Sequence, residues 1–172
     1  LRYSSRPPNR ENKMPRFTRE ELEEALDIYR RARDQASESG DWKPWAALFT
    51  EDAVYIEHAY GEFTGRAAIE EWITGVMAPF PCMTFPQDWV AWDEETGAIV
   101  FECRNCLPEP FREEGKPFSF PNWTRLVYAG NGLFSSEEDV YNPARDAPAT
   151  LSAWIKAGGS FESGEQVLMR HR

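Results

Sequence analysis

The residues of this chain best suited to moving protons are two carboxylic acids, Glu57 and Asp139, and two phenols, Tyr55 and Tyr141. Tyr55 and Glu57 stand two apart in a stretch that reads as a strand, and residues two apart on a strand share a face. A carboxyl placed among aromatic rings holds its proton toward neutral pH, because burial disfavours the charged form. Two such carboxyls in one ring-lined enclosure do not both ionise easily, so one stays an acid while the other accepts protons. These four are therefore candidates for a general base or acid and for hydrogen-bond donors to a substrate oxygen. That set suits cyclisation, isomerisation, dehydration or addition of water.

Other chemistries find less material. Cys103-Arg-Asn-Cys106 has the CxxC spacing, but the chain holds only three cysteines and two histidines, His58 and His171. A structural zinc site needs four ligands, so no metal is expected, and no even disulfide framework forms. His58 falls on the strand face opposite Glu57 and reads as a core or interface residue. Trp123 reads as core. Neither a phosphate-cradling glycine loop nor a Ser–His or Cys–His pairing stands out.

The elements that must position these groups follow from periodicity. Thr18-Arg-Glu-Glu21 is a capping box. Leu22, Ala25, Leu26, Tyr29, Ala32 and Ala36 then recur at helical spacing up to Gly40. A short helix with Pro44 in its first turn carries Trp45, Leu48 and Phe49. A strand is expected over Ala53–Tyr60, with Tyr55, Glu57 and Ala59 on one face and Val54, Ile56, His58 and Tyr60 on the other. Gly61 to Gly65 turns the chain, and a helix follows from Arg66 to Met77. Strands are expected over Met83–Trp92, Ala98–Leu107, Phe118–Ala129 and Leu133–Tyr141, the last two joined by the hairpin Gly130-Asn131-Gly132. A last helix spans Asp146–Ala157. Helices first and an antiparallel meander after them describe an α+β domain.

A length of 172 residues allows one domain of ordinary size. The aromatic share of 14% argues for a bulky core or a ring-lined cavity rather than disorder. A formal net charge of −10 makes the chain a poor grip for a phosphate backbone, so nucleic acid is not an expected partner. No apolar run has membrane-spanning length. With no leader evident, a cytoplasmic location is expected. Residues 1–16, basic and meeting Met14 before the first periodic segment, are expected to be a disordered leader or tag. Residues 17–143 are expected to form the domain, and 144–172 a helix and tail.

Gly40-Asp41-Trp42, the run Leu48-Phe49-Thr50-Glu51-Asp52-Ala53-Val54-Tyr55, Gly65-Arg66-Ala67-Ala68-Ile69 and the ending Gly130-Asn131-Gly132…Asp139-Val140-Tyr141-Asn142-Pro143 together resemble the SnoaL-like members of the nuclear transport factor 2-like superfamily. The resemblance covers roughly Phe17 to Pro143. It implies a cone: a curved antiparallel sheet wrapped by three helices around an apolar cavity, here with a C-terminal helix added. The ketosteroid isomerases of that superfamily place a base five residues after the Asp of an Asp-Ala pair, which implies Glu57. The epoxide hydrolases carry Tyr-x-Asn on the same strand, matched here by Tyr55-Ile56-Glu57. Both comparisons imply that the face bearing residues 55 and 57 turns inward.

The isomerase oxyanion donors would fall at Arg33 and Thr124, neither of the required type, which disfavours that activity. Asp139-Val-Tyr-Asn resembles the epoxide hydrolase segment Asp-Tyr-Phe-Asp, with Glu102-Cys103-Arg104 as a candidate partner pair in reversed order. Tyr141, Asn122, Thr124, Trp45 and Tyr29 are expected to line the cavity and bind substrate.

The resemblance implies a cofactor-independent enzyme acting on a small apolar or amphipathic molecule. The alternative is a binding or dimerisation module with the same cone and no chemistry. A homodimer is expected through the outer sheet face near Val100, Phe101, Leu126 and Val127.

Overall fold

The computed structural model describes residues 15–162; the expected leader and the end of the tail lie largely outside that range. Helix α1, Arg19–Ser39, begins at the N-cap Thr18, whose Oγ1 accepts from the Glu21 amide at 3.1 Å, while the Glu21 carboxylate accepts from the Tyr128 hydroxyl at 3.0 Å instead of closing the capping box. It ends at Gly40, whose φ of 77° lies in the left-handed region that a helix stop uses. Its inward stripe is Leu22, Ala25, Leu26, Tyr29, Arg33 and Ala36. Arg33 is a basic residue on this largely apolar face, and it is only 6% exposed.

The remaining elements are α2 (Lys43–Ala46), β1 (Phe49–Glu57), β2 (Gly61–Thr64), α3 (Arg66–Met77), β3 (Gln87–Asp93), β4 (Ala98–Cys106), β5 (Ser119–Gly130), β6 (Leu133–Val140) and α4 (Asp146–Lys156). The strands form a single six-stranded sheet in the order β2-β1-β6-β5-β4-β3. It curves against the helices as an open α+β cone.

Two expectations about the sheet are corrected. Gly61 to Gly65 contains a strand, β2, hairpinned onto β1 with Tyr55 opposite Phe63, rather than a turn alone. The sheet is also not wholly antiparallel: β1 and β6 run parallel. The chain passes through α3 and four strands between them, and so long a crossover permits parallel pairing.

The inner sheet face and the helices close on one aromatic core. Trp45, Phe49, Phe101 and Phe134 are fully buried, and Tyr29 meets Trp45, Phe101 and Phe134 at ring-centroid distances of 5.8, 6.3 and 5.7 Å. Contacts at this spacing combine large apolar burial with edge-to-face geometry.

The outer face departs from the sequence reading. Phe101 and Leu126, expected on it, are wholly buried on the inner side. Trp123, expected in the core, is 52% exposed. It lies between Asn122 and Thr124, both of which point inward, so the two-residue period sends the indole out. There it packs edge-on to Trp89 at 5.8 Å, and both indole N–H groups donate to Glu102 Oε2, at 3.0 and 3.1 Å. His58 is likewise exposed and is paired with Glu138 at 3.0 Å rather than sitting in a core.

Candidate functional site

Strand register brings the acidic side chains together. In the parallel pair, Tyr55 stands opposite Glu137 and Glu57 opposite Asp139. In the antiparallel pair, Leu126 stands opposite Glu137 and Thr124 opposite Asp139. A register shift makes this possible. Val127 faces Ser136 but Tyr128 faces Phe134, so Ser135 is an extra residue in β6. This β-bulge changes the phase of the strand, so that Phe134 and, three residues on, Glu137 both point inward.

Around these strands lies a pocket of about 160 Å³. Its polar wall is formed by Tyr29, Tyr55, Glu57, Thr124, Glu137, Asp139 and Tyr141, and Trp45 and Trp72 flank it. Every residue expected to act on or bind substrate lines the pocket except Asn122. That side chain sits behind the wall and donates to Asp139 Oδ1 at 2.7 Å.

The hydrogen bonding in the wall is asymmetric. Asp139 Oδ1 also accepts from Thr124 Oγ1 at 2.6 Å, and Asp139 Oδ2 accepts from the Tyr55 hydroxyl at 2.5 Å. Glu137 Oε1 accepts from the Tyr29 hydroxyl at 2.7 Å and lies 3.1 Å from the Tyr55 oxygen. Glu137 Oε2 is buried without a partner.

These distances describe three oxygen–oxygen contacts: Tyr29 to Glu137, Tyr55 to Glu137, and Tyr55 to Asp139. The two phenols supply only two hydrogens, since each hydroxyl donates once. The Tyr55 hydroxyl is therefore the shared group, standing between both carboxyls. Asp139 accepts at both oxygens from three side chains, whereas Glu137 is 2% exposed with one oxygen unpartnered. Tyr55 thus links the Glu137 and Asp139 carboxyls. Burial, and then the neighbouring Asp139, holds the Glu137 carboxyl well above the usual carboxylate range.

Glu57 is held differently. Its Oε2 accepts from the Ala59 and Tyr60 amides, each at 2.7 Å, in the turn that ends β1, and Tyr141 bonds to it from the end of β6. Burial raises its pKa above the ordinary value, while these three hydrogen bonds work the other way. The Tyr29, Tyr55 and Tyr141 hydroxyls are all pushed up, in each case first by burial, so they stay protonated donors. Arg33 is the cation of the pocket lining: its guanidinium donates to the Phe85 carbonyl at 2.9 Å and lies 5.9 Å from the centre of the Tyr29 ring.

Glu137 is the functional candidate that the sequence reading misses. Beside Glu138 it reads as part of a solvated acidic edge next to Asp139, yet it stands two residues from Asp139 and so shares its face. That parity is a usable signal. The expected partner pair Glu102 and Arg104 does not reach Asp139. Glu102 serves the outer tryptophans, and Arg104 donates to Ser119 Oγ at 3.0 Å. Among the described residues, no group of three His, Cys, Asp or Glu is placed to hold a metal ion, and no helix is long and apolar enough to cross a membrane.

Comparison with solved structures supports the fold. An NTF2-like protein from Anabaena variabilis ATCC 29413 superposes with a TM-score of 0.59 at 18% identity, covering 78% of this chain and 98% of its own. A protein from Catenulispora acidiphila DSM 44928 with a ketosteroid isomerase-like fold, in complex with trimethylamine, gives 0.56 at 20% identity over 71% of this chain and 91% of its own. The epoxide hydrolase/cyclase-like enzyme SalBIII, of pyran ring formation in polyether salinomycin, gives 0.56 at 14% identity over 72% and 92%. No curated protein matches the chain in sequence. The model of the SnoaL-like domain family matches residues 29–134, from Tyr29 on α1 to Phe134 on β6. That span holds most of the cone and both residues of the inward 55/57 face, and the chain belongs to the SnoaL-like domain family.

Proposed function

We propose that the chain is an enzyme that needs no cofactor and performs acid/base chemistry on a small, largely apolar molecule. The observation that carries this reading is the pocket wall itself. Glu57, Glu137 and Asp139 share one ring-lined enclosure, and burial holds the Glu137 carboxyl above the usual carboxylate range. An acid and an acceptor side by side at neutral pH are what concerted proton transfer needs.

Glu57 exchanges the proton with substrate as base or acid. Asp139 and Glu137, linked through Tyr55, form the polar wall beside it. Tyr141 orients Glu57 and faces the substrate oxygen. Tyr29, Asn122 and Thr124 are positioning residues: they hold Glu137 and Asp139 rather than meet substrate first. Among the described residues, the buried side-chain polar atoms without a partner belong to Trp45, Trp72, Asn122 and Glu137, and three of those four residues line the pocket. Such atoms cost roughly 1–3 kcal/mol each when left unmet, which favours a ligand carrying polar groups.

Cyclisation or opening of an oxygen ring fits this set, and the likeness to SalBIII lends that reaction class support at the level of fold. The test is a thermal-shift screen of small cyclic ethers, epoxides, enones and phenolic polyketides. A hit is then assayed for turnover with wild type and Glu57→Gln. Loss of turnover with retained binding supports the reading. Binding with no conversion, or full activity in Glu57→Gln, replaces it with a ligand-binding module.

The expected partner besides the small molecule is a second copy of the chain over the outer sheet face. The exposed Trp89, Trp123 and Val140, at 40%, 52% and 47%, favour it.

A further inference from the structure

The pocket does not end at the acidic wall. Its lining continues into Met77, Phe80, Met83, Phe85 and Leu107, and then reaches α4 at Ala147 and Leu151. These residues belong largely to a second hydrophobic cluster, centred on Met83, Leu107, Phe118 and Trp154, distinct from the aromatic core around Trp45 and Tyr55. The enclosure thus has an oxygen-rich end set by the sheet and an apolar end roofed by α4.

That roof is fastened. Trp154 is 1% exposed, donates from Nε1 to the Pro108 carbonyl at 3.0 Å and meets Phe161 at 5.6 Å, while Phe161 meets Phe80 at 5.2 Å. The Glu162 amide donates to the Pro79 carbonyl at 3.2 Å. Gly159 passes so close to the Trp154 ring that a Cβ there would lie 2.3 Å from it, so only glycine fits. The helix is also tied to the acidic end. The backbone runs from Tyr141 straight into Asn142, whose carbonyl accepts from the Asp146 and Ala147 amides at 3.1 and 3.3 Å. Finally, α4 lies outside residues 29–134, the span that the family model matches.

We infer that α4 completes a binding subsite for an aliphatic or isoprenoid tail, with Leu151 setting the tail's length. The ligand is an amphipathic molecule with an uncharged oxygenated head at Glu57, Glu137 and Asp139. An anionic head meets those acids in a confined, weakly screened site with Arg33 as counter-charge, and it is rejected. The methionines give the tail end an adaptable lining. The inference rests on the functional reading above only for where the head sits; the tail subsite is read by binding alone.

The test uses the full chain and alkan-1-ols from six to twelve carbons, with fatty acids of the same lengths as the anionic arm, by isothermal titration calorimetry. In wild type, affinity rises about threefold to fourfold per methylene, the factor given by ~0.8 kcal/mol per buried CH₂, up to a limiting length. The acids bind at least tenfold more weakly than the alcohols. Leu151→Trp shortens the limiting length and weakens the longest bound alcohol at least tenfold while leaving hexan-1-ol unchanged. Ala147→Leu does the same more mildly and serves if Leu151→Trp fails to fold, as judged by circular dichroism. Glu57→Gln keeps the chain-length slope, so failure of the catalytic reading leaves this result visible. No binding of any alcohol, an affinity flat in chain length, or a uniform loss across all alcohols in both α4 variants overturns the subsite.

Discussion

Glu137 and Tyr55 are directly paired across the parallel β1–β6 register, and the Tyr55 oxygen lies 3.1 Å from Glu137 Oε1 while donating to Asp139 at 2.5 Å. One phenol thereby links two carboxyls that belong to the same strand. The arrangement places the Glu137 carboxyl, which burial holds above the usual carboxylate range, two residues from Asp139 in one wall.

The pH dependence of stability follows from this. The folded-state pKa values of Glu137 and Glu57 lie above the ordinary carboxyl value of 4.5, with burial as the first cause for each. Below that value both states are protonated and neither group costs anything. As pH rises past it, the unfolded chain releases these protons first, so stability falls until the folded-state pKa is passed. Glu137→Gln removes its share, about 1.4 kcal/mol for every tenfold by which folding weakens the acid. Urea unfolding at pH 4.5 and 7.5 should show a smaller decline in Glu137→Gln than in wild type; an equal decline refutes the raised pKa of Glu137.

Glu57→Gln separates chemistry from folding. The substituted amide oxygen can still accept from the Ala59 and Tyr60 amides that hold Glu57 Oε2, so stability should change by less than about 1 kcal/mol. Turnover of a true substrate should fall by about 10²- to 10⁴-fold, the usual worth of a positioned acid or base. The pair of measurements is a denaturant midpoint and a kcat.

Tyr55→Phe strips Asp139 Oδ2 of its donor and breaks the link to Glu137. Leaving such acceptors unmet costs roughly 1–3 kcal/mol. The variant should lose that much in chemical denaturation, and the low-pH arm of its activity profile should shift. An unchanged profile makes Tyr55 structural only.

Thiol accessibility tests the sheet assignment independently of function. Cys103 and Cys106 are buried and Cys82 is exposed, and burial pushes the Cys103 thiol up to about 12. Since the thiolate is the reactive form, 5,5′-dithiobis(2-nitrobenzoic acid) at pH 8 should titrate one thiol per native chain and all three in guanidinium chloride. More than one fast thiol in the native protein contradicts the inward face of β4.

The outer face is tested by mass. Sedimentation at micromolar concentration should give a dimer for wild type and a monomer for Trp123→Arg, because the exposed Trp89–Trp123 pair supplies the apolar centre of that face. A wild-type monomer disposes of the expected second copy.

What can be read from sequence alone are the features set by neighbours in the chain. The cap at Thr18, the helical stripe through Tyr29, helix Arg66–Met77 and the shared face of Tyr55 and Glu57 all depend on spacings of two to four residues, and each stands in the structure. Tertiary structure alone decided which distant faces meet. Strand β2 exists because β1 offers it an edge, and the parallel β1–β6 pairing is a contact between segments some eighty residues apart. The extra residue at Ser135 exists only as a mismatch between two strands, so the inward turn of Glu137 became definite only once β5 and β6 were in register. Side-chain polarity was no guide there. The interior of this cone wall holds Asn122, Thr124 and Glu137 while Trp123 faces out, because a sheet fixes orientation by alternation and register, and hydrogen bonds between buried partners then make the polar side tolerable.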